Sequence, residues 1–234
     1  MSDQLPVSGP TGGTDAPPQK FELVNSGIAN PVPLGIGGFA MTTTYLGLVS
    51  AGAIGGSGVD AVLPLALLYG GTAQLLAGMW EFKNRNIFGA TAFSSYGAFW
   101  ISFYVMIKYW LPGLSAGAAN EALGFFLVMW GIFTFYMWIA SFKTNVAVWL
   151  VFLTLWIAYG LLASGTLGGQ VGNYHMVYEV GGYVTTVCGV LAWYVSAAEV
   201  TNGTWGRNVI PLGPLGAGGL AGALRLGSSA TVAH

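Results

Sequence analysis

Charge is what this chain has least of. Charged residues make up 6% of its 234 positions, against about 25% in an ordinary soluble domain. A polar shell around a core of this size cannot be built from so few, so the solvent implied is lipid. The charges present nearly cancel, leaving a net −1, which excludes a basic face for nucleic acid. Cysteine is almost missing too. Cys188 is the single one and sits inside an apolar run, so it excludes an intrachain disulfide, supports no metal cluster and reads as a small core residue. Neither a metal nor a cofactor is expected, and nothing in the pattern suggests an enzyme. In place of charge, the chain is 54% hydrophobic and carries 37 glycines.

A helix needs about 20 apolar residues to cross a bilayer core, and six segments qualify. They run from Pro31 to Ile54, Ala61 to Phe82, Phe88 to Leu111, Ala122 to Phe142, Val146 to Ser164 and His175 to Ala198. Each is bounded by charge, proline or glycine, as at Gly55-Gly56-Ser57-Gly58, Pro112-Gly113 and Gly168-Gly169. The fold class is therefore an all-α integral membrane protein with six transmembrane helices. Residues 1–29 read as a cytoplasmic tail, disordered or interfacial, rich in Pro, Gly, Ser and Thr and without a signal-peptide pattern. A short interfacial helix is expected from Phe21 to Ile28. Residues 30–199 are expected to form the six-helix transmembrane domain, and residues 200–234 a loosely ordered cytoplasmic tail.

Positive charge sets the orientation. With six spans, one side receives Lys20, Lys83, Arg85, Lys143, Arg207 and Arg225, and the other only Lys108, a split of 6 to 1. Lys and Arg are retained in the cytoplasm during insertion, which predicts an N-in, C-in protein in the plasma membrane, the cytoplasmic membrane in a bacterium.

Polar residues within the spans mark the path of whatever the bundle carries. Asn30-Pro31-Val32-Pro33 is a rigid helix start, with Asn30 as cap, and its positive dipole end suits an anion path. Thr42, Thr43 and Thr44 cover most of the helix circumference, so at least one faces protein or a pore. Gln74 lies at mid-membrane and must meet a neighbour or water. Thr91, Ser95, Ala98 and Ser102 make a small, hydroxylated stripe with Ser94 beside it, suited equally to helix packing and to a pore lining. Trp130, Phe133, Phe135, Tyr136 and Trp138 read as packing or lipid-facing aromatics. Glu81, Lys83, Arg85, Glu121, Lys143 and Glu199 fall at span ends, where a charge is cheap. His175 and Glu179 share a helix face, either as a surface pair or as a proton-coupling pair. The string Gly55-Gly56-Ser57-Gly58 matches that of intramembrane serine proteases, but it lies in a loop and not at depth, so it carries no catalytic reading.

Several blocks together resemble the acetate uptake transporter family, the succinate–acetate permeases. They are Asn30-Pro31-Val32-Pro33-Leu34-Gly35, Gly38-Phe39-Ala40-Met41-Thr42-Thr43, Tyr69-Gly70-Gly71-Thr72-Ala73-Gln74, Ala77-Gly78 before Glu81, Thr91 to Trp100, Trp130-Gly131 and Phe133-Thr134. Val32 departs from the alanine usual there and is bulkier. The resemblance implies a ring-shaped homo-hexamer in lipid with a pore through each protomer. It also implies transport of acetate, or of another short carboxylate such as succinate, by a channel or proton-coupled symporter. An apolar constriction would fall at Phe39, Tyr96 and Leu155, and Asn30, Thr42, Thr43, Gln74, Ser94 and Ser95 would supply uncharged donors along the path. The rival readings are a channel for a neutral solute (urea, an amide or ammonia) and a membrane partner that transports nothing.

Overall fold

The computed structural model describes residues 27–55 and 58–215. The helix expected from Phe21 falls almost wholly outside those residues, and Ser57 of the glycine-rich loop is outside them too.

Six helices are long and apolar enough to cross a membrane, matching the six runs in the sequence, and the chain is a multi-pass membrane protein. The first span is α1 (Val32–Ser50). It starts where the Val32 amide donates to Asn30 Oδ1 at 3.0 Å, so Asn30 does secure the helix start. The second span, Gly58–Lys83, is broken into α2 (Gly58–Leu67), a wide π turn at Leu68–Ala73 and α3 (Gln74–Lys83). Pro64 inside α2 has no amide to donate and shifts the hydrogen-bond register. Thr72 compensates by donating its hydroxyl to the Leu67 carbonyl at 2.8 Å. The third span is α4 (Ile87–Val105), capped by Asn86 and extended by a π turn to Trp110 and a 3-10 turn to Gly113. Then follow α5 (Ala116–Ser141), capped by Ser115, α6 (Val146–Leu167), capped by Asn145, and α7 (Asn173–Trp205). Compared with the apolar runs, the first helix stops four residues early, the fourth starts six early, and the last runs seven further.

The spans close into a ring. α1 packs chiefly on α7, α7 on α6, α6 on α5, and α3 on α4; α1 also meets the second span, while α4 touches α5 along a narrow seam. Glycine permits the tightest of these contacts. A Cβ on Gly47 would stand 2.5 Å from the Thr186 amide nitrogen, and one on Gly182 would collide with the backbone of Ala51. First and last spans thus meet backbone to backbone. α5 is the outermost helix, with 22% of its apolar window buried against 44% or more elsewhere.

The start of α1 and the end of α7 share one end of the bundle, here called the N-face, with the α3–α4 and α5–α6 turns. Past α7, residues 207–215 turn back across this face as a strap. Asn202 Oδ1 accepts from the Val209 and Ile210 amides at 2.7 and 2.9 Å. The Val146 and Ala147 amides then donate to the Gly213 and Leu212 carbonyls at 2.7 and 3.2 Å, which satisfies donors that the start of α6 would otherwise leave open. The segment from 200 to Leu215 is thus built into the bundle, in place of the loose tail read from its composition.

Candidate functional site

Aromatic side chains fill the middle of the ring. Phe39 of α1 and Tyr96 of α4 are both buried, with ring centroids 5.8 Å apart. Tyr96 also packs edge-on to Phe133 at 5.3 Å and lies 6.0 Å from Trp130 and 6.1 Å from Phe152. Its hydroxyl pairs with Thr134 Oγ1 at 2.8 Å, so one phenol bridges α4 and α5 at mid-membrane. Two expected packing aromatics, Trp130 and Phe133, therefore surround the centre and do not merely face lipid.

Next to this cluster, away from the N-face, lies a small cavity of about 30 Å³, roughly the volume of one water. Phe39 and Leu155 border it, together with Thr43, Trp100, Tyr159 and Thr185. The wall is almost wholly apolar. Two of the residues that line it, Thr43 and Trp100, each carry a buried polar atom (Oγ1 and Nε1) without a hydrogen-bond partner. Leaving such groups unpaired costs about 1–3 kcal/mol each. Thr185, by contrast, satisfies itself by donating to the Gly181 carbonyl at 2.7 Å.

The six expected path residues separate into groups. Thr43 reaches the cavity. Thr42 is equally buried but donates to the Gly38 carbonyl at 3.0 Å within its own helix. Gln74 and Ser94 lie on the α3–α4 seam, both with a buried oxygen that has no partner. Ser95 is half-buried on the stripe that carries the exposed Ala98 and Ser102, so it is not brought to the cavity. Asn30 is at the N-face, where its amide donates to Glu199 Oε2 at 3.2 Å. His175 Nδ1 and Glu179 Oε1 lie 3.5 Å apart at the opposite end, with their side chains 60% and 41% exposed.

Two residues were missed or misplaced by the sequence reading. Trp100 was read only as part of a family block, because nothing in its spacing distinguishes a tryptophan N–H turned inward from one at a lipid interface. Glu81 was read as a charge at a span end, free to reach water. Its side chain is instead 1% exposed, with Oε1 unpartnered, since the turn through Asn84 and Asn86 folds back over it. Among the described residues no cluster of three or more His, Cys, Asp or Glu could hold a metal.

The profile of the GPR1/FUN34/yaaH family matches residues 12–215. The succinate-acetate/proton symporter SatP of Escherichia coli is 37% identical over 189 residues, covering 81% of this chain and 97% of that protein. Acetate permease A of Emericella nidulans is 36% identical over 87% of this chain and 72% of its own length. The solved structure of the bacterial acetate channel SatP superposes with a TM-score of 0.72 at 37% identity, covering 80% of this chain and 99% of that one. A chain matched over this length, and with the same fold, belongs to the GPR1/FUN34/yaaH family.

Proposed function

We propose that the chain carries acetate, and with it other short carboxylates such as succinate, across the cytoplasmic membrane through the centre of each six-helix protomer, as a channel or a proton-coupled symporter. The observation that carries this reading is the cavity beside the Phe39–Tyr96 pair and Leu155, at the meeting point of five spans, lined by two residues, Thr43 and Trp100, whose polar atoms are buried and unpaired. A small carboxylic acid titrates at about 4–5 and is an anion at neutral pH. Hydroxyl and indole donors replace part of its water without a fixed positive charge that would trap it. The aromatic ring then sets size: a small acid passes when Phe39 and Tyr96 swing, and a larger or more strongly hydrated ion does not.

The placement of Lys83, Arg85, Lys143 and Arg207 around the N-face supports an N-in, C-in orientation. Six such protomers in a ring, each with its own pore, is the assembly in keeping with the broad apolar outer surface of α5. Asn30, Gln74, Ser94 and the threonines line the approach to the constriction in this reading, and the exposed His175–Glu179 pair acts as a surface bridge.

Uptake of labelled acetate into proteoliposomes of defined membrane potential tests the proposal. Protein-dependent uptake that is competed by unlabelled short carboxylates and is driven by potential (a channel) or by a proton gradient (a symporter) is expected. Flux indifferent to potential and to acetate would instead indicate a neutral-solute channel, and no flux at all a non-transporting membrane partner.

A further inference from the structure

Polar groups without partners are not confined to the cavity. A second set follows the face of α3 that packs on α4. Gln74 begins it, 1% exposed and with Oε1 unpaired. One turn on, Gly78 leaves room for Ser94, whose hydroxyl lies directly over it and is also unpaired. Three residues further is Glu81. At 1.5 Å per residue the file spans about 10 Å, from mid-membrane to the N-face. Gly89, in the first turn of α4, closes over the end of it: a Cβ there would stand 2.9 Å from Glu81 Oε1.

Glu81 stands out among the acidic side chains. Glu121 is exposed, and Glu179 has His175 beside it. Glu199 is half-buried and holds the Asn30 amide. Glu81 is enclosed and meets amides from Asn84 and Asn86, with the like-charged Glu199 as its neighbour from α7. No charged residue faces it from α1 or from the first turns of α4, and Lys83 and Arg85 are exposed beyond it. An enclosed carboxylate with an unpaired oxygen and no cation is far more costly than the neutral acid.

We propose that Glu81 is the proton-binding carboxyl of this chain and that its proton moves together with the carboxylate solute. One proton from water adds to the Glu81 carboxylate on loading and returns to water on release. A mechanical link to the pore follows from the hydrogen bonds. Glu199 holds Asn30, Asn30 accepts from the first amide of α1 at Val32, and Phe39 stands two turns along that helix. Neutralising Glu81 relieves the repulsion on Glu199 and firms its hold on the start of α1. The proposal rests on the carboxylate-transport reading above, and its test separates the two.

Two measurements on the full chain in lipid are needed. Infrared difference spectra over a pH titration report a protonated buried carboxyl through its C=O band, whether or not anything is transported. The band is expected in the parent protein and in Glu81→Asp, and absent in Glu81→Gln. The second measurement is the ratio of labelled acetate uptake with and without an inward proton gradient, corrected with protein-free vesicles. A ratio of about tenfold, within the usual range for coupled sites, is expected for the parent and one near unity for Glu81→Gln, with Glu81→Asp restoring part of it. A Glu81→Gln protein that retains either the band or the gradient response overturns the proposal, as does a parent protein without the band. A band lost in Glu81→Gln with no acetate flux in any variant keeps proton binding and overturns its coupling, along with the transport reading.

Discussion

Two seams complete the ring of helices, and they do so by opposite means. Between α1 and α7 the contact is made by backbone, with Gly47 and Gly182 each leaving no room for a methyl group. Between α4 and α5 it is made by large side chains: Tyr96 against Trp130 and Phe133, Phe99 against Phe126 and Trp130, and the Tyr96–Thr134 hydroxyl pair. A backbone contact has one geometry. An aromatic contact has several, because a ring can turn about χ1 and χ2 and still be packed. The Phe39–Tyr96 contact thus has one firm side and one compliant side. Phe39 is on the helix that is locked, and Tyr96 on the helix whose neighbour is held only by side chains.

Substitutions can break or sharpen this contrast. The largest effect is expected from Gly182→Val, which drives side-chain atoms into Ala51 and should cost several kcal/mol, on the order of the worst overpacked cores. No monodisperse protein is expected on size-exclusion in detergent. Tyr96→Ala should be tolerated better, losing about 3 kcal/mol against denaturant, because its seam can rearrange. It should raise uptake of larger dicarboxylates relative to acetate, and an unchanged ratio in both Tyr96→Ala and Phe39→Ala would argue against a constriction there. Thr134→Val removes one interhelical hydroxyl pair, worth about 0.6 kcal/mol in a membrane. Its expected signature is a slightly lower midpoint of unfolding with a preserved fold. Trp100→Phe retains the ring but removes the unpaired donor, so acetate flux should fall by a few-fold, about 1 kcal/mol, with stability little changed. Smallest of all, His175→Ala at the exposed end should leave both flux and its gradient response where they were.

How far the sequence could be read follows from the same contrast. Apolar runs bounded by glycine, proline and charge define helices through local composition, so the number of spans was legible to the residue type. Phe39 and Tyr96 were recognisable only as parts of family blocks, yet the structure brings their rings together. Thr43 could be narrowed to one of three, because three consecutive threonines must point in different directions; only packing decides which. What remained hidden depends on residues far apart in the chain. The union of α1 with α7 brings together segments more than 100 residues distant, and no local pattern marks Gly182 as the partner of Ala51. Glu81 was misjudged for a similar reason. Its position near a helix end says water, but the Asn84–Asn86 turn and Glu199 of the last span enclose it. The strap at 207–215 has the composition of a loose tail, and its order comes from amides on α6 that need acceptors.

The locked seam also has a consequence in time. α1 and α7 are the first and last of these spans to leave the ribosome, and each carries half of a joint that no other helix can complete. Through the synthesis of the intervening four spans, the glycine face of α1 must wait beside lipid or an insertion factor. A nascent chain arrested after α6 lacks the part of the cavity wall that Thr185 provides and the Glu199 that anchors Asn30. The cavity is thus complete only when the final helix slots against the first.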